Sequence, residues 1–172
     1  MHSEPSLTHI ALGLGSNMGP GPEILHAAAR ALARNGVSEL RLSPLYQTSP
    51  VGPDQPDYTN ACARGCTALD PRALLAVCKR LEQEFGRSPG GVRWGPRPLD
   101  IDILIFGRAI VQEPDLSIPH PEMGNRLFVL IPLLDVAADM LLPAGGTVRQ
   151  FAETRLASLA PTDQKIRKII EL

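Results

Sequence analysis

Two aspartates one residue apart, Asp100 and Asp102, interrupt an apolar stretch that runs from Pro98 to Phe106 and stops at Gly107. Its aliphatic, β-branched composition predicts a buried strand. Strand side chains alternate, so both carboxylates should share a face with Leu104 and Phe106, while Leu99, Ile101, Ile103 and Ile105 line the other. Neighbouring carboxylates at the edge of a core repel each other and lose hydration, so a cation or a shared proton must compensate. Arg93 and Arg97, just upstream, could neutralise them. The sharper alternative is magnesium, which suits a few hard oxygen ligands on a rigid strand and completes its shell with water and substrate phosphates. Nearby arginines would then hold the remaining phosphate oxygens.

The rest of the chain has to place that strand. At 172 residues and 44% hydrophobic content, it reads as one globular domain, 1–172. Lys plus Arg (17) nearly balances Asp plus Glu (18), so no global field recruits nucleic acid or an anionic membrane, and any phosphate site must be a local cluster. The first residues lack the basic and apolar runs of a signal peptide, and no segment approaches the roughly 18 apolar residues of a spanning helix. A cytoplasmic monomer is the default expectation. Cys62, Cys66 and Cys78 have no ligand-like spacing and are expected to be buried reduced thiols.

Thr8 to Leu14 reads as a strand entering a glycine-rich turn, and a helix runs from Pro22 to Asn35 before Gly36. The glycine spacing, Gly13-x-Gly15-x3-Gly19, lacks both the dinucleotide fingerprint and a P-loop lysine. A turn in which Asn17 tolerates unusual dihedrals is expected instead. Val37 to Thr48 forms a second strand, irregular at Ser43-Pro44, followed by a proline-rich loop to Asp57. A third strand, Tyr58 to Leu69, leads to the helix capped by Asp70-Pro71, with the stripe Leu74, Cys78, Leu81, Phe85. Arg87 to Gly95 is a loop centred on Gly90-Gly91, free to swing over a ligand. The order strand, helix, strand, strand, helix, strand predicts an α+β fold: a ferredoxin-like split βαβ core (βαββαβ) with a mainly antiparallel sheet. Additional C-terminal helices should follow, over Glu122 to Leu134, broken at Pro132, and over Thr147 to Leu159, before a weak strand or frayed end from Lys165.

With these stretches in view, the sequence resembles the 6-hydroxymethyl-7,8-dihydropterin pyrophosphokinase family over nearly its whole length. The resemblance rests on Gly15-Ser16-Asn17, Tyr46-Gln47-Thr48, Gln55-Pro56-Asp57-Tyr58 to Asn60, Glu82, Arg87, Arg93-Trp94-Gly95-Pro96-Arg97 to Asp102, Pro119-His120, Asn125-Arg126 and Phe128. It implies pyrophosphate transfer from the co-substrate ATP to a pterin alcohol in folate biosynthesis. Asp100 and Asp102 would hold two magnesium ions, with Arg87 and Arg97 as catalytic partners. Thr48, Ser49, Val51, Tyr58, Asn60, Trp94 and Phe128 would meet the pterin, while Glu82, Arg97, Ile103, Ser117, His120 and Arg126 would surround ATP. The partners are then small molecules, not nucleic acid or membrane. Pro121 stands where the family often has an aromatic, Gly124 where it often has a lysine, and Asp115 where a basic residue commonly helps ATP. These changes imply rearranged nucleotide contacts. A metal-dependent phosphodiesterase or nuclease could also use paired strand aspartates, but lacks a basic track here. A non-catalytic ferredoxin-like binding module is the other alternative, and the 4% aromatic content disfavours an RNA-binding sheet.

Overall fold

A computed structural model describes residues 6–50, 54–87, 96–159 and 165–169. Strand β1 (Thr8–Ser16) pairs antiparallel with β4 (Tyr58–Thr67) on one side and β5 (Asp100–Phe106) on the other. The expected second strand divides at Ser43-Pro44 into β2 (Val37–Leu42) and β3 (Tyr46–Thr48), both paired with the outer side of β4. A C-terminal strand, β8 (Ile166–Lys168), adds to β3 and closes that edge. The sheet order is β5-β1-β4-β3-β8, with β2 beside β4, and every pairing is antiparallel. The expected βαββαβ core is therefore present.

Helices α1 (Gly21–Arg34) and α2 (Pro71–Glu84) begin where proline can occupy the first turn without wasting an N–H, and the Asp70 carboxylate accepts from Ala73 N at 2.8 Å. Their apolar stripes, Leu25, Ala28 and Leu32 with Leu74, Cys78 and Leu81, pack on the sheet face formed by Ile10, Leu12, Leu14, Ala61, Ala63, Ile101 and Ile103. On the opposite face, α3 (Leu127–Ala137) covers Ala11, Cys62, Leu104 and Ile105, supported by Val148 of α4 (Val148–Ser158). Thr147 and Gln150 cap α4 reciprocally. A small hairpin, β6 (Val111–Glu113) with β7 (Leu116–Ile118), precedes a short 3-10 turn, Met123–Asn125.

Two expectations change. Alternation along β5 does not persist: the register slips between Ala11 and Leu12, leaving an extra residue on β5. Leu104 and Ile105 consequently both face the α3 layer, while Phe106 joins the core under α1 and α2. Helix α3 also runs through Pro132 rather than ending there. Proline removes one backbone bond, but burial of Val129, Leu130, Leu133 and Ala137 keeps the segment helical, and the Cys62 thiol donates to the Val129 carbonyl at 3.6 Å. The three cysteines are free and buried, as expected. Burial raises the Cys62 and Cys78 thiols, Cys78 to about 12, so both stay protonated.

Candidate active site

Helix α3 covers only part of its sheet face. Beyond it, β1, β3, β4 and β5 present Gly13, Gly15, Thr48, Tyr58, Asn60, Asp100 and Asp102 to a cleft of about 740 Å³. The glycines keep its floor low: a Cβ on Gly15 would lie 3.0 Å from Asn60 Oδ1, and one on Gly13 would meet Leu104 at 3.5 Å. The cleft walls carry Lys79, Arg87, Arg97, His120, Glu122, Asn125, Arg126 and Phe128. Among the described residues, an acidic pair on a rigid strand is thus ringed by Lys79, Arg87, Arg97 and Arg126, the local cluster that a near-neutral chain needs to hold a polyanion.

The two aspartates have different surroundings. Asp100 accepts from Arg87 Nη1 at 2.7 Å and from Arg97 Nη1 at 3.3 Å. Asp102 has the His120 ring beside it, with Nε2 at 3.9 Å. Because His120 Nδ1 accepts from Glu122 N at 3.2 Å, a neutral ring carries its proton on Nε2, the nitrogen directed at Asp102. Burial, and then the charge of Asp100, raise the Asp102 pKa above its ordinary 3.8. A carboxyl so raised favours the fold below pH 3.8, and that contribution is lost as pH rises through the higher folded value. At pH 7 the ionised group is therefore a cost to the metal-free protein. Asp102→Asn is expected to raise the metal-free Tm at pH 7 by about 2 °C, since Asp102 is partly open to screening water. A fall in a calorimetric scan would contradict this electrostatic reading.

Glu82 sits beneath the cleft, 1% exposed. Its carboxylate accepts from Ile101 N at 2.8 Å, Arg87 Nη1 at 2.6 Å and Lys79 Nζ at 3.1 Å, tying α2 to the strand between the aspartates. At the far end, Asn60 Nδ2 donates to Thr48 Oγ1 at 2.6 Å, and Ser49, Tyr58 and Phe128 also line the wall. Arg126 lies 5.7 Å from the Phe128 ring centroid, in cation–π range.

Most of the residues expected at the site converge here: Thr48, Ser49, Tyr58, Asn60, Arg87, Arg97, Asp100, Asp102, His120, Arg126 and Phe128. Three expected to surround a nucleotide do not line the cleft. Glu82 is the buried brace just described, Ile103 points into the α1/α2 core, and Ser117 is exposed on the β6/β7 hairpin. Val51 and Trp94 fall outside the described residues, as do Arg93 and the Gly90-Gly91 loop centre. Asp115 is not at the cleft but bridges to Arg72 at 2.8 Å.

Asn17 has a larger part than the sequence indicated. The left-handed backbone of its turn belongs to Gly19 (φ 76°), not to Asn17. Asn17 Oδ1 accepts from Arg97 N at 2.7 Å, its Nδ2 donates to Gln55 Oε1 at 3.0 Å and to Pro56 O at 3.3 Å, and its backbone N–H donates to Arg97 O at 3.1 Å. One buried amide thereby joins three loops and fixes the backbone that carries Arg97. Asn17→Ala is expected to lower kcat/KM about tenfold or more in steady-state assays, because each lost buried bond costs about 1–3 kcal/mol of order in these loops. Unchanged kinetics would remove Asn17 from the site's support.

The fold and site define an α+β protein of ferredoxin-like topology whose exposed sheet face forms an acidic cleft walled by arginines. The family model described as 7,8-dihydro-6-hydroxymethylpterin-pyrophosphokinase (HPPK) matches residues 11–138, and the chain belongs to that family. The 2-amino-4-hydroxy-6-hydroxymethyldihydropteridine pyrophosphokinase of Haemophilus influenzae is 43% identical over 156 residues, covering 87% of this chain and 97% of that protein. Its Pseudomonas aeruginosa counterpart is 43% identical over 143 residues, 81% of this chain and 86% of that one. A folate synthesis bifunctional protein of Arabidopsis thaliana is 44% identical over 128 residues, 74% of this chain but only 26% of that longer protein. Among solved structures, a Plasmodium falciparum HPPK-DHPS crystal structure superposes with a TM-score of 0.69 at 16% identity, covering 91% of this chain and 47% of that one, a likeness of fold.

Proposed function

We propose that this cleft transfers a pyrophosphoryl group from ATP to 6-hydroxymethyl-7,8-dihydropterin, the activity in folate biosynthesis for which its bacterial relatives are named. The observation that carries the reading is the placement of Asp100 and Asp102 on one sheet face among Lys79, Arg87, Arg97, His120 and Arg126. In the transfer, the hydroxymethyl oxygen forms a bond to the β-phosphorus. The bond from that phosphorus to the bridging α-oxygen breaks, AMP leaves with the electron pair, and the hydroxyl proton is lost.

Magnesium fits the donor set: two carboxylates on one rigid face, partly open, with the Asp102 pKa raised by burial and then by its anionic neighbour. Asp100 and Asp102 would hold two such ions, which when bound would neutralise phosphate oxygens and orient attacking and departing groups. The chain's own residues do the remaining work. Arg87 and Arg97, held by Asp100 before substrate arrives, exchange that carboxylate for phosphate oxygens. Arg126, and His120 through Nε2–H, add donors along the same wall. The Asn60–Thr48 bond fixes the Asn60 amide with Oδ1 as an acceptor, suited to the amino edge of a pterin, and Tyr58 and Phe128 offer ring surface beside it. Burial holds the Tyr58 hydroxyl above its ordinary pKa of 10, so it remains a donor.

The cleft is assembled from one chain, and we read the working unit as a monomer. Among the described residues, no helix is long and apolar enough to cross a membrane. The three free thiols suit the reducing cytoplasm, the expected compartment. The test is product analysis with ATP, Mg2+ and the pterin alcohol. AMP and pterin diphosphate are expected; ADP would indicate ordinary kinase chemistry and overturn the reading.

A further inference from the structure

Helix α4 reaches toward the cleft through Arg155. Arg155 Nε donates to the Gly124 carbonyl at 2.8 Å, and its Nη2 donates to Asn125 Oδ1 at 2.5 Å. Glycine at 124 makes the approach possible, since a Cβ there would lie 3.0 Å from Arg155 Nε and 2.9 Å from the Phe151 ring. The turn therefore has no cation of its own at position 124 and receives one from α4. Guanidinium is a donor only, so Asn125 must turn its oxygen toward Arg155 and its amide nitrogen away. One contact of that nitrogen is a long one, 3.5 Å to Glu122 Oε2, which leaves the second N–H available. Asn125 lines the cleft between His120 and Arg126, among the groups assigned above to the nucleotide.

We infer that Arg155 is a positioning residue that holds Asn125 as a hydrogen-bond donor to nucleotide oxygen acceptors, phosphate or ribose. This rests on the cleft being the ATP site. Arg155 does not touch the ligand; it selects which end of the Asn125 amide the ligand meets and steadies the backbone leading into Arg126. Each unit of the pair depends on the other, so their losses should overlap instead of multiplying.

The test is a double-mutant cycle of Arg155→Met and Asn125→Leu. Binding of α,β-methylene-ATP with Mg2+ is measured by calorimetry, and KM and kcat by turnover. Each single variant is expected to weaken analogue binding and raise the KM for ATP about tenfold, with kcat and the pterin KM within about twofold. The double variant should be no worse than the weaker-binding single. A merely structural role would lower Tm and leave nucleotide affinity unchanged, overturning the inference, as would effects that multiply. Asn125→Leu retains the Arg155 bond to Gly124 and so keeps the test open should Arg155→Met fold poorly. Because the binding arm needs no turnover, absence of AMP with tight, Arg155-dependent binding would count against the proposed reaction alone.

Discussion

Replacing Asp100 and Asp102 together with alanine is expected to reduce AMP formation by at least about a thousandfold while Tm stays within about 3 °C of wild type. Removing a single preorganised charge-stabilising group from an active site typically costs 10²–10³ in rate, and this change removes both carboxylates that could seat cations against the phosphates. The fold has less at stake. Asp102 is a cost at neutral pH in the metal-free protein, and the ion pairs of Asp100 with Arg87 and Arg97 are partly exposed, contributing about 0–1 kcal/mol each. Loss of activity with a retained calorimetric transition is therefore the expected pattern. Retained turnover would end the cation assignment, and loss of the transition would mean that the pair is structural.

Glu82→Ala should give the converse pattern, a stability loss that drags activity with it. The substitution leaves the Ile101 N–H without its acceptor and removes the anion that faces Arg87 and Lys79. Breaking a fully buried pair costs about 3–5 kcal/mol, but Arg87 and Lys79 can turn to water, so about 2–3 kcal/mol is expected here. For a domain of this size that is a fall in Tm of roughly 5–10 °C. Activity should fall as well, because Arg87 loses the partner that aims it at Asp100. Glu82→Gln, which can still accept from Ile101 N, should recover part of the stability and little of the Arg87 positioning. A Glu82→Ala protein with wild-type Tm would show that the brace carries nothing.

The contrast between these two sites also shows what a linear sequence can convey. The acidic pair was legible because its signal is local: strand periodicity sets Asp100 and Asp102 on one face whatever surrounds them. The helix starts at Pro22 and Asp70-Pro71, and the interruption at Ser43-Pro44, were legible for the same reason. Where the pairing partner decides, the reading failed. Alternation broke at Leu104 and Ile105 because β5 slips against β1, and nothing within β5 announces that slip. The passage of α3 through Pro132 reflects burial from outside the helix, which outweighs the local proline rule. Glu82 follows Cys78 by four residues, which sets its carboxylate beside the apolar stripe, but its bond to Ile101 N depends on how α2 meets β5. Asn17 stood in a motif, but its bracing role carried no local signal, since its partners lie 38 and 80 positions away. Asn125 stood in the motif, but the residue that orients it lies 30 positions later on another helix.

The account turns on whether Asp100 and Asp102 jointly seat divalent cations that arrive with a nucleotide. Titration of Mn2+ in the presence of α,β-methylene-ATP, with free Mn2+ followed by electron paramagnetic resonance, reads that directly. The protein should take up two ions per chain when the nucleotide is present, and Asp100→Asn with Asp102→Asn should abolish that uptake. Equal uptake by wild type and the double variant would place the cations elsewhere and contradict the account.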